Sequence, residues 1–265
     1  MFLLSGPGPV LAGTHVWTGA VNGYWSTPGN WEGNAAPTNA AESGIVLRFP
    51  AGAIRVISTN NIDHLSLLSV QLQGTGHVLR SVGNYSLSFA PGGFAINIVA
   101  SGNGNTIGCP MQFSGGCSLS VSSNQLLTVS GTLTGPGSLV KFGEGTLVLA
   151  GNGPNTLLGG FTVNSGIVRL RQSNGVALPG PTRLGYGATN PTAPATLQFQ
   201  AHNQLPPHST LSLLRDGVVA LNGFSNAVGY LSMVGGTVTT ASNTSPGLLT
   251  VNNDILADGR GAVPT

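Results

Sequence analysis

Residues 131–170 read GTLTGPGSLVKFGEGTLVLAGNGPNTLLGGFTVNSGIVRL, and this stretch decides the fold. Apolar residues recur at alternate positions in short runs, as at Leu147 and Leu149, Phe161 and Val163, and Val168 and Leu170. Each run ends at a glycine-rich corner: Gly135-Pro136-Gly137, Gly143-Glu144-Gly145, Gly159-Gly160 or Ser165-Gly166. Period-two alternation closed by turn residues describes very short strands with one buried face. No helix of ordinary length fits between those glycines.

The rhythm continues outward in both directions. Toward the N-terminus, strands are predicted at 45–47, 54–57, 65–67, 70–72, 87–89, 96–98, 119–121 and 127–129, with corners such as Gly74-Thr75-Gly76 and Gly102-Asn103-Gly104 between them. Toward the C-terminus the apolar pairs are Leu197 and Phe199, Leu211 and Leu213, Val219 and Leu221, Leu231 and Met233, and Leu249 and Val251. Leu147 lies 21 residues before Val168, and Leu197 lies 22 before Val219. The longer step between Val168 and Leu197 contains a proline-rich piece, 171–194, expected to protrude as a loop. A recurrence of this length predicts stacked coils of two or three strands each, since a single coil cannot bury its apolar face alone. The expected fold class is all-β, a solenoid of about ten coils spanning 44–251.

Residues 13–43 form a different module. Trp17, Trp25 and Trp31 fall close together with Tyr24, between turn signals at Pro28-Gly29-Asn30 and Ala36-Pro37-Thr38. Large aromatics suit an N-terminal cap over the open end of a stack. The functional reading of the same four residues is a platform for sugar rings, because Trp and Tyr join an apolar face to a polar edge. Residues 1–12 read as a signal remnant or a disordered start, and 252–265 as a frayed or truncated end.

Composition excludes several function classes. Only 6% of residues are charged, against about a quarter in an average domain, and 40% are hydrophobic with a mean hydropathy of +0.23. That aliphatic content argues for a folded chain. Nine basic and seven acidic residues leave a net charge of +2, and no cluster of Lys and Arg makes a nucleic-acid footprint. No apolar run approaches the about 18 residues of a transmembrane helix. The histidines share no metal spacing, so neither a metal nor a cofactor is expected. Cys109 and Cys117 flank MQFSGG, and either a small-loop disulfide or two free buried thiols fits.

The central stretch resembles the autotransporter-associated β-strand repeat of bacterial surface and secreted proteins. The resemblance is carried by Gly135-Pro136-Gly137-Ser138-Leu139, Lys141, Gly143, Gly145, Leu147, Leu149, Gly151-Asn152, Gly159-Gly160, Val163-Asn164 and Gly166. The later stretch 202–239 and the opening Trp17-Thr18-Gly19 and Gly29-Asn30-Trp31 look like flanking parts of the same proteins. Asn155-Thr156-Leu157-Leu158 departs from the aromatic-containing turn common in that repeat, and no translocator barrel follows, so a fragment or a passenger-only relative is expected. The resemblance implies a single-stranded, right-handed parallel β-helix, exported and displayed as an extracellular or outer-membrane-surface passenger. The expected function is that of a rod without enzymatic activity, adhesin-like or structural. Its expected partners are surface glycans, other cell-surface proteins, or a second copy stacked end to end.

The alternative is a carbohydrate-active β-helix, a lyase, hydrolase or tailspike-like depolymerase. Such chemistry needs paired carboxylates or a base beside acidic ligands. Glu42 and Asp63, 21 residues apart and near Arg55 and His64, are the best pair to be assembled from the few acids. Lys141 raises a separate question. On a straight strand it would share the inward face with Leu139, so a corner is expected to turn it outward.

Overall fold

A computed structural model describes residues 13–39, 44–89, 97–187, 193–240 and 245–258. Its strands pair in parallel in every ladder, stacked as a β-solenoid of about nine turns, and the parallel β-helix expected from the sequence is the fold. Each turn carries three short segments, so three columns of strands run along the axis. The first column passes through Ile45–Phe49, the second half of Leu65–Leu72, Ile98–Ala100, Cys117–Val121, Leu139–Phe142, Phe161–Val163 and Thr182–Leu184. It ends in the opening halves of Thr210–Ala220 and Tyr230–Thr239, then Ile255–Ala257.

The second column runs through Ile57–Asn60, Val78–Ser81, Asn105–Ile107, Leu126–Val129, Thr146–Leu149, Gly166–Leu170 and Ala195–Phe199. The intervals read from the sequence are contacts in this column: Leu147 is the register partner of Val168, Val168 of Leu197, and Leu197 of Val219. The third column starts at the first half of Leu65–Leu72 and continues through Leu87–Phe89, Met111–Phe113, Leu133–Gly135 and Thr156–Leu157. Turns are numbered here from the one that begins at Ile45, so Leu139–Phe142 opens turn five.

The core fills the interior from end to end. Alternate residues are buried in most of the strands up to Thr210–Ala220, as in Ile45, Leu47 and Phe49, or Gly166, Val168 and Leu170. Outward positions such as Thr128 and Thr162 are half-buried, because neighbouring turns sit one ladder spacing away. The corners need glycine where turns approach closely. A Cβ on Gly131 would lie 2.0 Å from the Cys109 carbonyl oxygen of the turn before.

Polar side chains complete the ladder at corners where strands stop. Asn155 accepts from Leu133 N and donates to Ala177 O, both at 2.8 Å, tying turns four, five and six together. Gln172 accepts from Gly151 N and its own N donates to Gln204 Oε1, each at 2.8 Å. Gln204 N in turn donates to Asn226 Oδ1. Each amide offers both a donor and an acceptor, which is what a gap between two backbone rungs requires.

Three expectations are corrected. The segment 171–194 is no protruding loop over its described part: Ala177 and Leu178 are buried in the third column, and Thr182–Leu184 opens turn seven. Pro179, Gly180 and Pro181 sit at a tight corner within the stack, where a Cβ on Gly180 would lie 2.7 Å from the Leu158 carbonyl oxygen, while 188–192 lie outside the described residues. The predicted strand at 54–57 falls at Ile57–Asn60, and Ile54 is 72% exposed. There the inward positions are the polar Ser58 and Asn60, so the apolar pattern misplaced the strand. The about nine turns agree with the expected stack of about ten coils, two of the turns being long, Val70 to Ile98 and Leu184 to Leu213. At the far end, part of the expected frayed segment is a strand, Ile255–Ala257, paired with Leu231–Met233.

Leu147 is fully buried between turns four and six. Leu147→Ala is expected to cost about 2–5 kcal/mol, read from the midpoint of urea unfolding. Leu256→Ala, at a position 68% exposed, should stay within about 0.5 kcal/mol of the parent.

Candidate functional site

The four aromatic residues proposed as a sugar platform or a cap separate into two groups. Trp17, Trp25 and Trp31 are buried, stacked edge to face with one another and against Phe49 of the first turn at ring distances of 5.1–6.2 Å. Trp17 Nε1 donates to Arg55 O and Trp31 Nε1 to Trp25 O, both at 2.7 Å. Their faces are occupied by protein. Thr14–Val16 adds a parallel strand to Ile45–Phe49, and Trp25 N and Thr59 N bond across to Thr59 O and Gly23 O, so the module lies on the first turn as a cap. Asn30, wholly buried, organises the loop: its Oδ1 accepts from Val21 N and Asn22 N, and its Nδ2 donates to Asn22 Oδ1 and Tyr24 O. Tyr24 alone of the four is open to solvent, 50% exposed.

The acidic pair is not brought together as a described site. Glu42 lies outside the described residues. Asp63 sits at a corner of the first turn, where its Oδ1 accepts from His64 N at 2.9 Å and its Oδ2 lies 3.3 Å from His64 Nε2. Both side chains are open to water, and Asp63 lies on the wall of a cleft of about 650 Å³ between cap and first turn. An ion pair in that setting is screened and contributes little. Among the described residues no three His, Cys, Asp or Glu side chains converge as metal ligands.

Cys109 and Cys117 are free thiols in different columns, both buried. Cys109 Sγ donates to Arg80 O at 3.0 Å. Burial pushes the Cys109 thiol up to about 12 and the Cys117 thiol up to about 11, so neither is a ready thiolate nucleophile.

The corner between the first and second columns holds what the sequence reading missed. Lys141 is not turned outward. It is fully buried, and its ammonium donates to Gly143 O at 2.6 Å, Ser165 O at 2.9 Å and Phe142 O at 3.2 Å. Three N–H donors meet three carbonyls, two in its own corner and one in the corner of turn six. Glu144, in the same corner, is exposed to solvent. Gly143 makes the inward carbonyl geometry by taking φ +77°, a backbone state that a Cβ would disfavour. Two turns further on, the buried Asp216 carboxylate accepts from Gly187 N at 2.8 Å and Tyr186 N at 3.1 Å, reaching back from turn eight to the corner of turn seven. Above these buried charges lies a cleft of about 430 Å³ lined by Phe142, Glu144, Asn164, Ser165 and Tyr186. A signal for it was present: Phe142, Asn164 and Tyr186 recur at intervals of 22 residues, one turn apart.

No protein-family model, curated protein or solved structure matches the chain.

Burial lowers the Lys141 pKa from 10.5 to about 8. Below about pH 8 the lysine is charged in both folded and unfolded chains, so it adds no slope there. Between about 8 and 10.5 the unfolded chain holds a proton that the folded chain has released, so this group makes stability rise with pH. The two cysteines act with the opposite sign at higher pH, and a comparison with Lys141→Met cancels them. The variant is expected to lose about 1–3 kcal/mol at pH 7 through carbonyls left without donors. Relative to it, the parent should gain about 1.4 kcal/mol per pH unit from pH 8 to 9.5 in urea midpoints; parallel profiles would show that Lys141 is not titrating in this window.

The thiols give a second check. Ellman's reagent should find no reactive thiol in the native chain over minutes, and two per chain after denaturation without reductant. Fewer than two would mean that the cysteines are oxidised.

Proposed function

We propose that the protein is a non-enzymatic rod, the passenger or stalk portion of an exported bacterial surface or secreted protein, adhesin-like or structural in use. The observation that carries this reading is the uninterrupted stack of about nine turns whose corners are tied from turn to turn by Asn155, Gln172, Gln204 and Lys141. A stack of this kind spans distance with little charge and no separate domains, as a stalk must. The residues behind the resemblance to the autotransporter-associated repeat support it as well. Lys141, Gly143 and Gly166 build successive corners, and Leu147 and Leu149 fill turn five. Among the described acids, Asp216 holds backbone amides, Asp63 pairs with an exposed histidine, and Glu144 is the acid in the lining of its cleft.

Localisation tests the reading. In the bacterium that makes it, the protein should fractionate with the cell surface or the medium and be cleaved when intact cells are treated with protease. Cytosolic retention with full protection would overturn the assignment. Small-angle scattering should give a rod with a stacked length of about 45 Å, from about nine turns at the sheet spacing of about 4.8 Å. Depolymerisation of an acidic or neutral polysaccharide, lost in Glu42→Ala or Asp63→Ala, would instead establish an enzyme.

A further inference from the structure

The corner between the first and second columns is where side chains of three successive turns meet in the open. Two buried charges face the backbone beneath it: the Lys141 ammonium holds Phe142, Gly143 and Ser165 through their carbonyls, and the Asp216 carboxylate holds Tyr186 and Gly187 through their amides. Hydrogen bonds to charged groups are the strong ones, so the backbone under the cleft is fixed before any ligand arrives. This matters for affinity because ordering a loop on binding costs free energy that a preset site avoids.

The lining is unusual for this surface. Tyr186 is 60% exposed and Phe142 37% exposed, in a chain of which aromatic residues make up only 6%. The two larger clefts, at the cap and at the corner near Arg80 and Asn152, are lined by no aromatic ring. The rest of the lining is Glu144, Asn164 and Ser165. We propose that this cleft binds a neutral pyranose unit of a glycan, its C–H face against Tyr186 and Phe142 and its hydroxyls bonded to Glu144 and Asn164.

Three features select that ligand class. The aromatic rings offer apolar faces with polar surroundings, which suits a ring that is apolar on its faces and polar at its edge. The cleft volume of about 430 Å³ falls in the range of small-molecule sites, about 300–1,000 Å³. The charged side chain in the lining is Glu144. A neutral hydroxylated ligand can donate to its carboxylate, whereas a uronate would bring a second carboxylate against it.

This inference deepens the adhesin-like reading but can fail separately from it. The test is saturation-transfer NMR and calorimetry of the full chain with a panel of neutral hexose and N-acetylhexosamine oligosaccharides, and with oligogalacturonate as the acidic arm. At least one neutral oligosaccharide should bind, Tyr186→Ala should weaken it at least tenfold, and Glu144→Gln severalfold. Tyr24→Ala, at the exposed tyrosine of the cap, should leave binding unchanged. Tyr186 and Glu144 are solvent-exposed, and thermal unfolding of each variant will register any loss of fold. Absence of binding across the neutral panel, binding insensitive to Tyr186→Ala, or oligogalacturonate bound as tightly would each overturn the site. A surface-located protein that binds no sugar removes this inference alone, and a cytosolic protein that binds at Tyr186 removes the passenger reading alone.

Discussion

The parallel backbone ladder between turns is the constraint on which everything else rests. Strands of three to five residues, such as Phe161–Val163 and Ile45–Phe49, are too short to stand alone. Each finds its hydrogen-bond partners only in the turns before and after. Because strand follows strand at one sheet spacing, side chains of equal register stack directly, as Leu127, Leu147, Val168, Leu197 and Val219 do. The core is therefore a set of columns, and every inward residue is shielded by its neighbours along the axis as much as by those across it. The cap follows from the same constraint: Trp17, Trp25 and Trp31 cover Phe49 on the open side of the first turn.

A ladder that turns three times per coil must interrupt itself at each corner, and the backbone groups released there face inward. This structure satisfies them with polar side chains drawn from the same columns as the aliphatics. Asn105 accepts from His77 N and donates to Gly74 O and Gly102 O; Asn97 accepts from Ser118 N and donates to Leu68 O. Lys141 is the charged version of the device. An amide can bridge a donor to an acceptor, but the corner at Gly143 presents carbonyls alone, and an ammonium is the side chain with three donors and no acceptor. Its desolvation is the cost, visible in the lowered pKa, and the three short contacts offset it.

These two layers explain what could be read from the sequence. Fold class, strand positions near Leu147, Val168 and Leu197, and the spacing of one turn were legible because alternation and glycine corners are local signals. Lys141 was misread because period-two alternation gives the face of a residue but not what awaits it there. The Ser165 carbonyl, from a corner 24 residues further on, joins those of Phe142 and Gly143 only once the turns are stacked. The prolines of 171–194 misled for a related reason: Pro and Gly mark a change of direction, and a solenoid corner and a protruding loop carry the same mark. Ile57–Asn60 was displaced because Ser58 and Asn60 face inward, beneath the cap, where apolar residues were sought.

The corner cleft shows how a solenoid writes a surface site. In most folds a site gathers residues from loops of unrelated sequence position. Here the stack converts a fixed interval into adjacency, so Phe142, Asn164 and Tyr186 become neighbours because each is one turn from the next. Outward positions at a corner are free of the packing demands that fix Leu139 or Leu147, so they can vary without loss of fold. The inward positions beneath them cannot. Lys141 and Asp216 thus separate two tasks that loops usually combine: the buried charges hold the backbone of the corner, and the exposed residues choose what it meets. The same division predicts where other sites on such a rod would arise, namely at corners held from inside by a buried charge.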